Sequence, residues 1–296
     1  MSKLELLQTP IQPERHDLSN GRWYTPVDDY WFKHFGENVP KVYKRSSTTI
    51  EGVISKGKGF EMWLGNASTY DSAMEYANKR ALIGTMVHDY CERLLRQTPE
   101  DDDLQLIPGE TKWYDQGSDT LIPITREVVK YVMSFQKFVK DCQVNGAYTT
   151  EALEICMFDL AADNEGNQLH PWAGTADWVV RLTNKKGKEE RWLIDFKTGN
   201  AYTAHQLQLT SYKILFESIF PELPIDGLAC LYLKSGWRKE PNYTFKQYKP
   251  DVETWNKVVA VSEWQNNNPV PSFPKELPTT FSLNEEAVQE QLKESA

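Results

Sequence analysis

The sequence predicts an α/β fold, with a mixed central β-sheet flanked by helices and a helical elaboration ahead of the sheet. Three observations lead there. Two long segments before residue 146 carry apolar residues at helical spacing. Three extended segments follow in close succession, the last two joined by a polar turn. A helix, two further extended segments and a final helix complete the order. Helices first, a meander of strands next, and alternating helix and strand last build a sheet covered by helices.

The first helix is expected over residues 68–97, with Ser68 as N-cap and Ile83, Met86, Val87, Tyr90, Cys91, Leu94 and Leu95 on its apolar stripe. The second runs over residues 125–143, with Val128, Val132, Phe135 and Val139 inward. Strands are expected over 147–160, 173–182 and 190–197, the last two linked by the turn Asn184-Lys185-Lys186-Gly187-Lys188. An amphipathic helix over 203–220, strands over 226–234 and 242–248 and a helix over 252–266 follow. Residues 1–45, rich in Pro, Asp and aromatics without a clear period, read as an irregular arm. Residues 269–296, Pro-rich and then acidic, read as a peripheral tail.

Composition narrows the class. Ten Trp and fourteen Tyr supply enough large apolar surface for a sizeable core. No stretch is long and apolar enough to span a bilayer, and the N-terminus has no apolar signal core, so no membrane partner is expected. The chain reads as intracellular, in the cytoplasm of a bacterium or of a phage-infected cell. Cys91, Cys142, Cys156 and Cys230 form no CxxC pair, so buried free thiols are expected and no iron–sulfur cluster. A net charge of −9 argues against indiscriminate phosphate binding. It still allows a carboxylate site whose charge bound cations offset locally. The basic groups Lys185, Lys186 and Lys188, and Lys56 and Lys58, read as solvated loops before phosphate contacts.

The strongest chemical signal lies in Trp192-Leu193-Ile194-Asp195-Phe196-Lys197-Thr198-Gly199. In a strand, Trp192, Ile194 and Phe196 point one way, and Leu193, Asp195 and Lys197 the other. The preceding strand carries a single acid, Asp177, among apolar neighbours. A turn centred near Lys186 pairs residues whose numbers sum to about 372, which sets Asp177 opposite Asp195 (177 + 195 = 372). Two facing carboxylates repel unless a cation lies between them, and hard cations such as Mg²⁺ take one or two carboxylates and then a substrate phosphate. On that reading alanine at either position relieves the repulsion and raises the stability of the metal-free protein.

The order Asp, hairpin, Asp-x-Lys resembles the signature of the PD-(D/E)XK nuclease superfamily. Asp195-Phe196-Lys197-Thr198-Gly199 looks like the RecB-type version. The first acid follows Gly174-Thr175-Ala176 and not a proline, a departure from the pattern. Four other features of that family are matched in this sequence. Gly84-Thr85-x-x-His88 resembles its helix with a metal-binding histidine, and Gln208-x-x-x-Tyr212 resembles its helix near the active site and DNA. Glu154 stands on the first core strand, where members often carry a glutamate. Ser46-Ser47-Thr48-Thr49-Ile50 and Trp63 resemble the entry segment of the phage- and mitochondrial-type exonucleases in this group. The resemblance covers roughly residues 45–250.

It implies a restriction-endonuclease-like core over residues 46–268, with Asp177, Asp195 and Lys197 catalytic. His88, Asp177 and Asp195 are the implied metal ligands, and Gln208, Tyr212 and Glu154 support them or meet DNA. The cofactor implied is Mg²⁺, with Mn²⁺ able to substitute. The activity implied is a metal-dependent exonuclease at DNA ends, preferring single strands. It would serve recombination, repair or phage DNA metabolism, with DNA and a single-strand-binding or recombination protein as partners. Three readings stand beside it: a structure-specific or sequence-specific endonuclease, a non-catalytic DNA-binding or assembly module, and a metal-dependent hydrolase of small phosphoesters, which the DxK spacing and the QxxxY helix disfavour. No P-loop of the form GxxxxGK[ST] accompanies the segment.

Overall fold

A computed structural model describes residues 6–55, 57–96, 106–115 and 117–268. The chain divides into two compact units, residues 1–262 and 263–296. Of the second, only residues 263–268 are described, so the expected tail over 269–296 lies outside the described residues. Among the described residues no helix is long and apolar enough to cross a membrane.

The fold is α/β with a mixed eight-stranded sheet. Its elements in chain order begin with β1 (Pro13–Leu18), β2 (Gly21–Pro26), α1 (Asp28–Phe35), β3 (Lys44–Ser46), α2 (Ser47–Glu51) and α3 (Lys58–Gly65). The long α4 (Tyr70–Arg96), a small separate hairpin of β4 (Lys112–Asp115) and β5 (Thr120–Pro123), and α5 (Arg126–Asn145) come next. The central strands β6 (Gly146–Met157), β7 (Trp172–Asn184) and β8 (Glu189–Lys197) are followed by α6 (Ala204–Ile219), β9 (Gly227–Leu233), β10 (Tyr243–Tyr248) and α7 (Val252–Asn267). The path across the sheet is β1-β2-β3-β7-β8-β9-β10, with β6 also paired to β7. Strands β3 and β7 run parallel, as do β8 and β9.

Period-two alternation sends the side chains of the central strands into two layers. Trp178, Val180, Ile194 and Phe196 pack with Ile83, Met86 and Val87 of α4 and with Val128, Val132 and Phe135 of α5. Val179, Leu193 and Leu228 pack on the other side, with Leu207, Leu215 and Phe216 of α6 and Trp255 of α7. Strands buried on both faces read as near-continuous apolar runs, as β9 does.

The expected elements from residue 125 onward lie within a few residues of the observed ones. The expected N-terminal arm differs. It contributes β1, β2 and β3 to the sheet, β3 lying parallel to β7 through Arg45↔Trp172 and Ser46↔Ala173. Strand β1 is largely exposed and polar, so it shows no alternation to read. A two-residue turn still closes the β1–β2 hairpin, pairing Leu18 with Gly21. Thr69, not Ser68, caps α4: its Oγ1 accepts the Ser72 N–H at 3.0 Å, and Ser72 Oγ accepts the Thr69 N–H at 3.1 Å. That reciprocal pair satisfies two otherwise open donors, which a bond from Ser68 alone would not. Thr125 caps α5 by accepting the Val128 N–H.

One close approach fixes the spacing of β8 and β9. Trp192 lies across Gly227, where a Cβ would meet the indole ring at 2.4 Å. Gly227→Ala must displace Trp192 or part the strands, at a cost of about 1–3 kcal/mol. Chemical denaturation of the purified variant should show a lowered midpoint with an unchanged slope; an unchanged midpoint would mean that the ring moves aside freely.

Candidate metal centre

The hairpin of β7 and β8 keeps the register read from its turn. Its pairs run from Thr183↔Glu189 to Trp178↔Ile194, each summing to 372. The ladder ends there, one step short of Asp177 and Asp195. At that step Asp177 Oδ2 accepts the Phe196 N–H at 2.5 Å, so a carboxylate fills the gap where the strands part.

The neighbouring strand is irregular at the same level. Glu154 has φ 46°, in the left-handed region that a non-glycine residue rarely occupies. On β6, Ala152 and Ile155 join the same core layer although they are three residues apart; Val179 and Ala176 do so on β7. Alternation is thus reset at Glu154 and Asp177 together. The reset brings both carboxylates toward His88 of α4. One ligand atom from each of His88, Glu154 and Asp177 lies within 4.8 Å of the others. A left-handed non-glycine residue costs of order 1–3 kcal/mol and is held by its surroundings, often at a functional site.

His88 is held between a backbone carbonyl and two acids. Its Nε2 lies 2.9 Å from the Phe196 carbonyl oxygen, which can only accept, so Nε2 carries a proton. Nδ1 then faces Asp177 Oδ1 at 3.4 Å and Glu154 Oε1 at 4.0 Å. A backbone carbonyl on the far ring nitrogen is the usual device for fixing a ligating imidazole. Gly84 lies one turn before His88 in the same row of α4 and is not pressed by its neighbours. A Cβ there would meet Thr198 Oγ1 at 3.6 Å, an ordinary contact. Glu92, further along the row, is held by Arg96.

Asp195, 2% exposed, lies beside this trio with its Oδ2 2.5 Å from Lys197 Nζ. Lys197 also donates to Gln208 Oε1 at 2.9 Å, and Gln208 Nε2 donates to Tyr212 Oη at 2.8 Å. The spacing Gln208-x-x-x-Tyr212 on α6 thus completes a chain Asp195–Lys197–Gln208–Tyr212. Gly174 makes room for it, since a Cβ there would meet Tyr212 Cε1 at 2.6 Å. All seven residues singled out in the sequence therefore fall into two groups joined across the β7–β8 fork.

The electrostatics follow from burial. Two carboxylate oxygens under 5 Å apart repel by roughly 3–4 kcal/mol at an effective dielectric of ~20. Burial, with the Asp177 charge beside it, pushes Glu154 up to about 8. Burial likewise raises Asp195 to about 6, although Lys197 pulls it down. For Asp177, burial is outweighed by His88, Lys197 and the Phe196 N–H, and its pKa is lowered. Burial opposes charge on His88, yet Asp177, Glu154 and Asp195 raise it to about 9. Burial likewise opposes charge on Lys197, but Asp195 holds it protonated. In the metal-free protein, protons on His88 and Glu154 therefore do the work of a cation. Asp177 and Asp195 each have their own partner, so the gain in stability expected from alanine at either position does not follow from this geometry.

Two residues escaped the sequence reading. Tyr131 of α5 donates to the Thr198 carbonyl at 2.9 Å, and Arg80 Nη2 donates to Tyr131 Oη at 2.8 Å, pinning the loop after Lys197. Arg80 could have been found, because it continues the Gly84–His88 row by one turn. Ser47, in the entry segment, donates to the Ala173 carbonyl beside Gly174. The turn carrying Lys185, Lys186 and Lys188 stands at the other end of the β7–β8 hairpin. Seven residues at ~3.3 Å each place it roughly 23 Å along the strand from Asp177. Lys56 lies outside the described residues, and Lys58 is exposed at the start of α3. The four cysteines are free, with Cys91 and Cys230 buried.

No family model matches the chain, and no curated protein is similar to it in sequence. Among solved structures, one described as the crystal structure of SSO0001 is similar over 48% of this chain, at 15% identity and a TM-score of 0.29. The chain spans 62% of that structure's length, and a likeness of this extent carries no argument about activity.

Glu154 is the acid with least local compensation, so Glu154→Gln should stabilise the protein in EDTA by on the order of 1–3 kcal/mol. Thermal unfolding checks this. Mn²⁺ should raise the melting temperature of the parent protein more than that of the variant. A variant less stable in EDTA would mean that Glu154 is structural.

Proposed function

We propose that this chain is a divalent-cation-dependent deoxyribonuclease of the PD-(D/E)XK type. The observation that carries the reading is the fork of β7 and β8, which gathers Asp177, Glu154 and His88 beside the chain Asp195–Lys197–Gln208–Tyr212. Acid, acid-x-lysine and a glutamine-held lysine at one buried point exceed what a structural ion pair requires.

The donor set fits a hard cation. Carboxylate oxygens dominate it, one imidazole nitrogen is aimed inward, and the metal-free protein has to protonate two of the groups to tolerate the cluster. Asp177, Glu154 and His88 would hold Mg²⁺ or Mn²⁺, with Asp195 beside them. Such an ion supplies Lewis-acid polarisation of a phosphoryl oxygen and a lowered pKa for water. Lys197 remains an ammonium because Asp195 faces it, so it can stabilise negative charge developing on the phosphate. Gln208 fixes where that ammonium points, and Tyr212 fixes Gln208. Action at DNA ends, preference for single strands and a role in recombination, repair or phage DNA metabolism belong to the same proposal, as do DNA and a single-strand-binding protein as partners.

Degradation of end-labelled linear DNA, single- and double-stranded, beside a closed circle tests the reading. Linear DNA should be degraded with Mg²⁺ or Mn²⁺ and not with EDTA. Lys197→Ala should lower the rate by at least about a hundredfold, as loss of one charge-stabilising donor does. Cutting of the closed circle would replace the exonuclease with an endonuclease. Binding of DNA without cleavage of any substrate would leave the non-catalytic module.

A further inference from the structure

A cleft of about 550 Å³ opens between the α2–α3 region and the start of α6. That volume suits a small organic ligand. Its lining includes Thr48, Phe60, Tyr202, Thr203 and His205. Its position ties it to the metal centre. Ala201, Tyr202 and Thr203 directly continue the segment Lys197-Thr198-Gly199, and His205 lies one helical turn before Gln208 on α6.

The described lining is rich in aromatic and hydroxyl groups, and the charged residue in it is Glu51, an acid. The His205 ring is neutral, pushed down to about 3 by burial and by Lys197 and Lys246, and its Nδ1 lies 2.7 Å from the Tyr232 hydroxyl. Tyr202 is half exposed and meets the His205 ring edge-on at 5.6 Å. The half-exposed ring of Tyr202, with hydroxyls and backbone around it, is the equipment for a flat neutral heterocycle with a polar edge. The aromatic surface also continues outward. Phe60 meets Trp63 at 5.3 Å between ring centroids, and Trp63 meets the exposed Tyr76 at 6.1 Å.

We propose that this cleft receives one unpaired nucleobase of a single-stranded nucleic acid whose neighbouring phosphate lies at the Lys197 centre. The proposal rests on the nuclease reading for the phosphate and on the cleft for the base. A base in a duplex cannot enter the cleft without leaving its stack, so the cleft selects unpaired strands. Stacking on Tyr202 and Phe60 tolerates any base, which gives preference for strandedness without strong sequence preference.

The test is the affinity of a short fluorescein-labelled single-stranded oligonucleotide, read by anisotropy with Ca²⁺ in place of Mg²⁺. A single abasic residue is moved along the strand, and Tyr202→Ala and Phe60→Ala are compared with the parent protein. One abasic position should weaken binding by roughly tenfold, the loss expected for one stacked base. Tyr202→Ala should weaken binding of the intact strand to a similar degree and make the protein indifferent to that abasic position. A flat abasic scan, unchanged binding by both variants, equal affinity for duplex, or no binding of the single strand would each overturn the proposal. Cleavage of plain DNA with Mg²⁺ is measured alongside. Cleavage with a flat scan removes the cleft and keeps the nuclease; the stacking pattern without cleavage keeps the cleft and removes the nuclease.

Discussion

Three carboxylates, Glu154, Asp177 and Asp195, converge where two buried strands stop pairing, and the layout of the site is a response to their mutual repulsion. In water such acids would remain apart. Here the β6–β7–β8 ladders bring them together, and the layers of α4–α5 and α6–α7 on the two faces keep the strands from relaxing. Each acid is then answered by something specific. Asp177 has the Phe196 N–H and His88, and Asp195 has Lys197. Glu154 has His88 at 4.0 Å and a backbone conformation that few residues accept.

The same constraint explains the placement of the surrounding helices. His88 reaches the fork from the α4 face, and Gln208 and Tyr212 approach from the α6 face. The Phe196 backbone is shared between them: its N–H meets Asp177 and its carbonyl meets His88. A one-residue slip of β8 would therefore disturb both hydrogen bonds and turn Asp195 and Lys197 to the other layer. Register, the orientation of His88 and the placement of the lysine are set together.

Much of this was legible in the sequence because it is local or periodic. The turn at Asn184–Lys188 fixed the sum of paired residues, and helical spacing placed Gln208 over Tyr212 and His88 on the edge of an apolar stripe. What could not be read depends on backbone conformation or on distant partners. Nothing in Ala152-Leu153-Glu154-Ile155 announces a left-handed residue, so the closeness of Glu154 to His88 and Asp177 could not be read from the sequence. Tyr131 and Arg80 act through contacts with residues far along the chain. Strand β1 escaped notice because an exposed edge hairpin carries little apolar pattern, and β3 because three residues carry none.

The most direct test of the central claim is Mn²⁺ binding, followed by electron paramagnetic resonance as the free-ion signal is lost. Saturable binding is expected for the parent protein and for Lys197→Ala, with strong weakening in Asp177→Ala and the fold retained by circular dichroism. Binding that is absent in the parent, or unaffected by Asp177→Ala, would contradict that claim. The fork of β7 and β8 would then be a buried network of ion pairs and not a metal centre.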